Sequence, residues 1–156
     1  MATVAAGGKL SPSSNGPGTL TMDLGAGQLN IVSSITAAAS ASLLFDLGSA
    51  SDELVLSNPL SALNIGLGLL ELDDFVFTSS PDLAVGTYTL FDTGTPVLGT
   101  LGANVAGPVG SLYGELALGD GGNDVVLNVT SAPVPEPTGG IAAFVAATVC
   151  CLRRRR

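Results

Sequence analysis

From Thr19 onward the chain is divided into short β-prone runs, each closed by Gly, Ser, Asn or Asp, and this rhythm leaves little room for helices. The runs are 19–23, 28–32, 42–46, 53–56, 75–78, 86–91, 113–118 and 124–129. In the first, Leu20, Met22 and Leu24 share one face while Thr19, Thr21 and Asp23 take the other, the period of two expected of a half-buried strand. Between 61 and 74, Leu63, Ile65, Leu67, Leu69, Leu70 and Leu72 form a broken alternation. Gly66 and Gly68 disfavour a helix there, so the stretch reads as strand. Asp120-Gly121-Gly122-Asn123 lies between two runs and predicts a hairpin over 116–129.

These runs predict an all-β body with Leu43, Phe45, Leu54, Leu56, Tyr88, Leu90, Val126 and Val129 in or near its core. The spacing suits a sandwich, a barrel or a β-solenoid. A partial echo joins Ser51-Asp52-Glu53-Leu54-Val55-Leu56 to Asn123-Asp124-Val125-Val126-Leu127, but two copies define no repeat. With hydrophobic residues at 46% and charged residues at 12%, burial can offset chain entropy, so the chain is expected to fold. There is no Trp, and aromatics make up only 4%, so Leu and Val are expected to fill a narrow aliphatic interior.

Four units follow from the punctuation. Residues 1–18, rich in Gly and Pro, read as an irregular lead-in, and 19–131 as the β-rich body. The Pro-rich linker is 132–138, where alternate prolines lack amide donors and fix φ. Residues 139–156 read as a short transmembrane-like helix with an arginine stop. Acidic residues all precede position 138 and are balanced there only by Lys9, whereas Arg153, Arg154, Arg155 and Arg156 close the chain. An acidic body repels phosphate backbones, so nucleic acid is not an expected partner.

The run 141–152 is uncharged and meets the arginines at once, the order needed for insertion with a cytoplasmic C-terminus. Twelve helical residues span only about 18 Å against a hydrocarbon core of about 30 Å. Snorkelling arginines and local bilayer thinning close part of that gap. Val134-Pro135-Glu136-Pro137, the apolar run and the four arginines together resemble the PEP-CTERM sorting signal of Gram-negative bacteria. The resemblance implies export, transient residence in the inner membrane and cutting by an exosortase near Pro135-Glu136-Pro137. The mature protein would then pass to the cell surface or extracellular matrix, with exopolysaccharide as a candidate partner. Met1 to Leu10 shows no basic and apolar leader, so an export tail there suggests the C-terminal fragment of a longer protein.

Val85-Gly86-Thr87-Tyr88-Thr89-Leu90-Phe91-Asp92 and Asn123-Asp124-Val125-Val126-Leu127-Asn128-Val129 resemble the last coils of autotransporter-type β-solenoid passengers. That resemblance implies the end of a parallel β-helix with a C-terminal hairpin cap, a β-sandwich being the alternative fold.

The chain has no His, so Ser-His-Asp, Cys-His and imidazole metal sites are ruled out. Cys150 and Cys151 are adjacent in the apolar run and provide no disulfide framework for the body. Asp52-Glu53 and Asp73-Asp74 are carboxylate pairs of the kind glycoside hydrolysis uses, with solvated turn charges as the plainer reading. Asp120, Asn123 and Asp124 have the oxygen chemistry of a calcium loop, yet a plain hairpin turn explains them equally. The expected function is therefore a non-catalytic exported surface or matrix protein with no cofactor. A polysaccharide-acting β-helix enzyme and a calcium-stabilised matrix protein are the alternatives.

Overall fold

The computed structural model describes residues 1–5, 7–32, 42–66 and 69–132, and these form an all-β body. Nine strands come first: β1 (Ala2–Val4), β2 (Lys9–Leu10), β3 (Thr19–Met22), β4 (Gln28–Ile31), β5 (Ser42–Leu47), β6 (Glu53–Leu56), β7 (Ala62–Asn64), β8 (Phe75–Ser79) and β9 (Gly86–Thr93). A 3-10 turn at Leu72–Asp74 leads into β8. The chain then continues through β10 (Ala106–Val109), β11 (Leu112–Gly119) and β12 (Asp124–Thr130), with a second 3-10 turn at Asp120–Gly122.

Each of the first six strands pairs in parallel with the third strand after it. The first sheet is β1-β4-β7, the second is β2-β5-β8, and the third begins β3-β6-β9. Parallel neighbours cannot be joined by a tight turn, and here each connection passes through the strands of the other two sheets. At β9 the third sheet changes character: β12, β11 and β10 follow it in antiparallel order, with a register shift at Val125/Val126.

The alternation seen in the sequence sets which side chains turn inward. In β5, Leu43, Phe45 and Leu47 are buried while Ser42, Leu44 and Asp46 are partly exposed, and β6 buries Leu54 and Leu56 in the same way. All three sheets contribute to one apolar cluster, including Leu29, Ile31 and Leu63 from the first and Leu54, Leu90 and Phe91 from the third. Each fully buried side chain of this kind contributes about 1.5–3 kcal/mol. Of the expected core, Leu43, Phe45, Leu54, Leu56, Leu90, Val126 and Val129 are buried, and Tyr88 packs against the cluster.

The interior is not purely aliphatic. Phe45 lies 5.8 Å from Phe75 and 5.6 Å from Phe91, and Phe75 meets Phe91 edge-on at 6.4 Å. Three of the five Phe residues thus gather from two sheets at the centre, where tilted ring pairs contribute beyond their buried area.

A polar ladder crosses the first sheet. Thr3, Asn30 and Asn64 occupy matching register positions; Asn64 Nδ2 donates to Asn30 Oδ1 at 3.0 Å, and Asn30 Nδ2 reaches Thr3 Oγ1 at 3.5 Å. Asn30 is only 4% exposed, and the ladder satisfies its amide where water cannot.

Two sequence expectations are corrected, and one strand is added. Residues 1–18 are not an irregular lead-in, because β1 and β2 lie within them and gain their ladder bonds from β4 and β5. Among the described residues of 61–74, only Ala62–Asn64 form a strand, and Leu70 makes a single bridge to Leu101 before the 3-10 turn. Ala106–Val109 is an additional strand, hidden in sequence by Gly107 and Pro108. The expected hairpin is present between β11 and β12, with Gly119 opposite Asp124.

Candidate functional site

The sorting motif Val134, Pro135, Glu136 and Pro137, the apolar run and Arg153, Arg154, Arg155 and Arg156 lie outside the described residues. Among the described residues, no helix is long and apolar enough to cross a membrane. The carboxylates of the body can be traced individually.

Asp52 sits just before β6 and is 1% exposed. Its Oδ1 accepts the Gly18 N–H at 2.7 Å and its Oδ2 the Asp46 N–H at 2.9 Å, so one side chain ties the approach to β3 to the end of β5. Its sequence neighbour Glu53 points to the outer face of the third sheet. Asp74 behaves like Asp52: it is 3% exposed, and its Oδ2 accepts the Glu71 N–H at 2.9 Å. Asp73 is exposed. Each carboxylate pair singled out by sequence is therefore divided, one member fixed inside the fold and the other outside it. Strand alternation sends adjacent residues to opposite faces, which accounts for the first pair.

Other acids also secure turns. Glu71 Oε1 accepts the N–H groups of Ala103 and Asn104 at 3.0 and 3.2 Å. Asp23 Oδ1 accepts from Gly25 N–H at 2.8 Å and Asn58 Nδ2 at 3.0 Å. Asp82 Oδ2 accepts the Ser49 N–H at 3.2 Å, and its Oδ1 takes the Ser80 hydroxyl.

Asp120, Asn123 and Asp124 come together at the β11–β12 turn. Asp120 adopts a left-handed φ of 42°, Asn123 Nδ2 approaches Asp120 Oδ2 at 3.4 Å, and Asp124 Oδ1 lies 3.4 Å from the Thr93 N–H. Among the described residues, no group of three or more His, Cys, Asp or Glu is arranged to hold a metal ion.

On the outer face of the third sheet, Glu53 is raised above its ordinary value of 4.5 by partial burial, then by the charges of Asp92 and Asp124. Asp124 is raised too, first by partial burial and further by Asp92 and Asp120. Hydrogen bonds from Ser49 and Ser80 pull Asp82 in the other direction, from 3.8 down to about 2. A raised carboxyl pKa favours the fold when the group is protonated, so that contribution is present below pH 4.5 and lost as pH rises through the folded value. Glu53→Gln is therefore expected to melt above the parent at pH 7, with the gap closing below about pH 4.5. Asp82 has the opposite sign: its contribution is present above pH 3.8 and is lost toward pH 2. Asp82→Ala should thus melt below the parent at pH 7 and converge with it near pH 2, which differential scanning calorimetry across pH 2 to 8 would check.

An open pocket of about 340 Å³ lies between β8 and β10, floored by Phe75 and Phe77 and rimmed by Asp73, Asn104 and Pro108. A second, of about 430 Å³, lies beside β1 and β2, where Val4, Leu10, Met22 and Leu29 meet Lys9. Sequence reading placed Phe75 and Phe77 on a strand without connecting them to Asp73. The signal available was an acid two residues ahead of two aromatics on one strand face. No family model matches the chain, and no curated protein matches it.

Proposed function

We propose that this chain is a non-catalytic exported surface or matrix protein, with a short parallel β-helix as its body and a PEP-CTERM-like tail for delivery. Three things support the β-helix reading over a sandwich. Pairing of each strand with the third one on repeats in three sheets, those sheets surround one core, and β10 to β12 close one end with antiparallel hairpins. Such a stack serves as a stiff spacer or adhesive module. The enzyme alternative needs two carboxylates free to face one sugar, and Asp52 and Asp74 already accept backbone N–H groups inside the body.

The observation that carries the sorting role is one of order. β12 ends at Thr130, and in the sequence Pro135-Glu136-Pro137, an uncharged run and four arginines come after it in that order. Each arginine resists the bilayer centre by at least about 2.5 kcal/mol on insertion scales, so together they hold the C-terminus in the cytoplasm. The proline motif is assigned to recognition by the sorting enzyme. The test supplies the chain with a signal peptide in a host that has an exosortase. Replacing all four arginines by Ser should release the protein prematurely or mislocalise it. Replacing Pro135-Glu136-Pro137 by Ala-Ala-Ala should leave it uncut in the inner membrane. Processing of both variants like the parent would remove the sorting role.

A further inference from the structure

We infer that the pocket between β8 and β10 is a carbohydrate-binding site that takes a neutral hexopyranose unit. β8 is the outermost strand of the second sheet and β10 that of the third, so the pocket lies where two sheet edges face each other. Two close approaches join its walls: the Leu72 N–H donates to the Asn104 carbonyl at 2.7 Å, and Gly110 abuts Ser79. Between them the Phe75 and Phe77 rings stack at 5.3 Å with planes 7° apart. Phe75 is 6% exposed and anchors the stack in the core, whereas Phe77 is only half-buried.

A flat aromatic face of this kind suits the C–H face of a pyranose ring, which meets the electron-rich π surface. Hydroxyls at the ring edge then need donors and acceptors, and the exposed Asp73 carboxylate and Asn104 amide supply both at the rim. That rim is held in place beforehand, because Glu71 Oε1 accepts the Ala103 and Asn104 N–H groups and Asp74 accepts the Glu71 N–H. A volume of about 340 Å³ lies at the small end of ligand pockets and suits one or two sugar units.

Charge and backbone chemistry narrow the ligand. Among the described residues, Asp73 is the pocket's charged group and Lys9, on β2, does not line it, so none of them offers a cation to a uronate or phosphate there. A peptide strand is disfavoured, because Pro108 on the β10 edge has no N–H to offer it. That the sugar belongs to a polysaccharide rests on the surface role proposed above; the site itself does not.

The test is a glycan array of neutral, amino-sugar and uronate oligosaccharides probed with the full chain. Binding to neutral hexose glycans is expected, weakened about tenfold or more in Phe77→Ala and in Asp73→Ala. Because Phe77 also packs on the core, Asp73→Ala is the decisive variant, and its melting temperature should stay within about 2 °C of the parent's. Three results would overturn the site: no signal on neutral glycans, binding confined to uronates, or binding unchanged in Asp73→Ala and Phe77→Ala. Failure of the sorting role would appear in cell fractionation and leave the array unaffected, so the two ideas fail separately.

Discussion

Asp52→Ala is expected to lower the melting temperature by roughly 10–20 °C, which corresponds to about 3–5 kcal/mol in a domain of this size. The carboxylate is 1% exposed and is the acceptor for both the Gly18 and Asp46 N–H groups. A hydrogen bond to a charged group contributes about 1.5–3 kcal/mol, and truncation takes the acceptor from two part-buried donors. Removing the buried charge relieves some desolvation, which offsets part of that loss. Asp52→Asn keeps one acceptor and turns an NH2 toward a backbone N–H, so it should fall between alanine and the parent. Asp73→Ala, at an exposed position next to the other buried acid, is the control. Thermal melts of the three variants check this, and an Asp52→Ala melt within about 1 °C of the parent would show that the two bonds do not hold the fold.

Gly99→Ala should be comparably damaging for a backbone reason. Gly99 has φ +110°, a region essentially closed to other residues, and a Cβ there would lie 2.5 Å from Gly66 N and 2.6 Å from its Cα. The contact is with main chain, so no rotamer change relieves it. Beside it the Leu98 N–H donates to Leu63 O and the Ile65 N–H to Leu98 O, each at 2.8 Å, which places 98 along the edge of β7. Forcing 99 away from 66 breaks both bonds and uncovers Leu63 and Ile65, which are 0% and 1% exposed. A loss of about 3 kcal/mol or more is expected, with faster amide exchange at Ile65 and Leu98. Gly121→Ala is the comparison: its φ is +69°, but a Cβ there meets nothing within 4 Å, so it should cost only about 1 kcal/mol. Equal melting of the two variants would contradict the argument from close approach.

Strands whose own residues alternate were legible in sequence. β6 is the clearest, because Leu54 and Leu56 face inward between Glu53 and Val55, and no partner need be known to see it. β1 and β2 were not legible, since three and two residues carry no period and their ladder bonds come from β4 and β5. β10 was concealed because Gly107 and Pro108 read as a breaker, yet Pro108 is tolerated on an edge strand. The role of Asp52 was equally hidden. A carboxylate beside a strand looks like a solvated turn charge until Gly18 is brought against it from the connection before β3. The pocket needs Asn104 placed across from Phe77, which only the change from parallel to antiparallel order after β9 brings about.

The claim of export and sorting through the tail is tested most directly by the intact mass of the protein recovered from the cell surface and medium. The chain would be supplied with a signal peptide in a host with an exosortase. The account predicts a mature protein that contains β12, ends beside Pro135-Glu136-Pro137 and lacks the apolar run and Arg153 to Arg156. A recovered protein whose mass still includes all four arginines would contradict it.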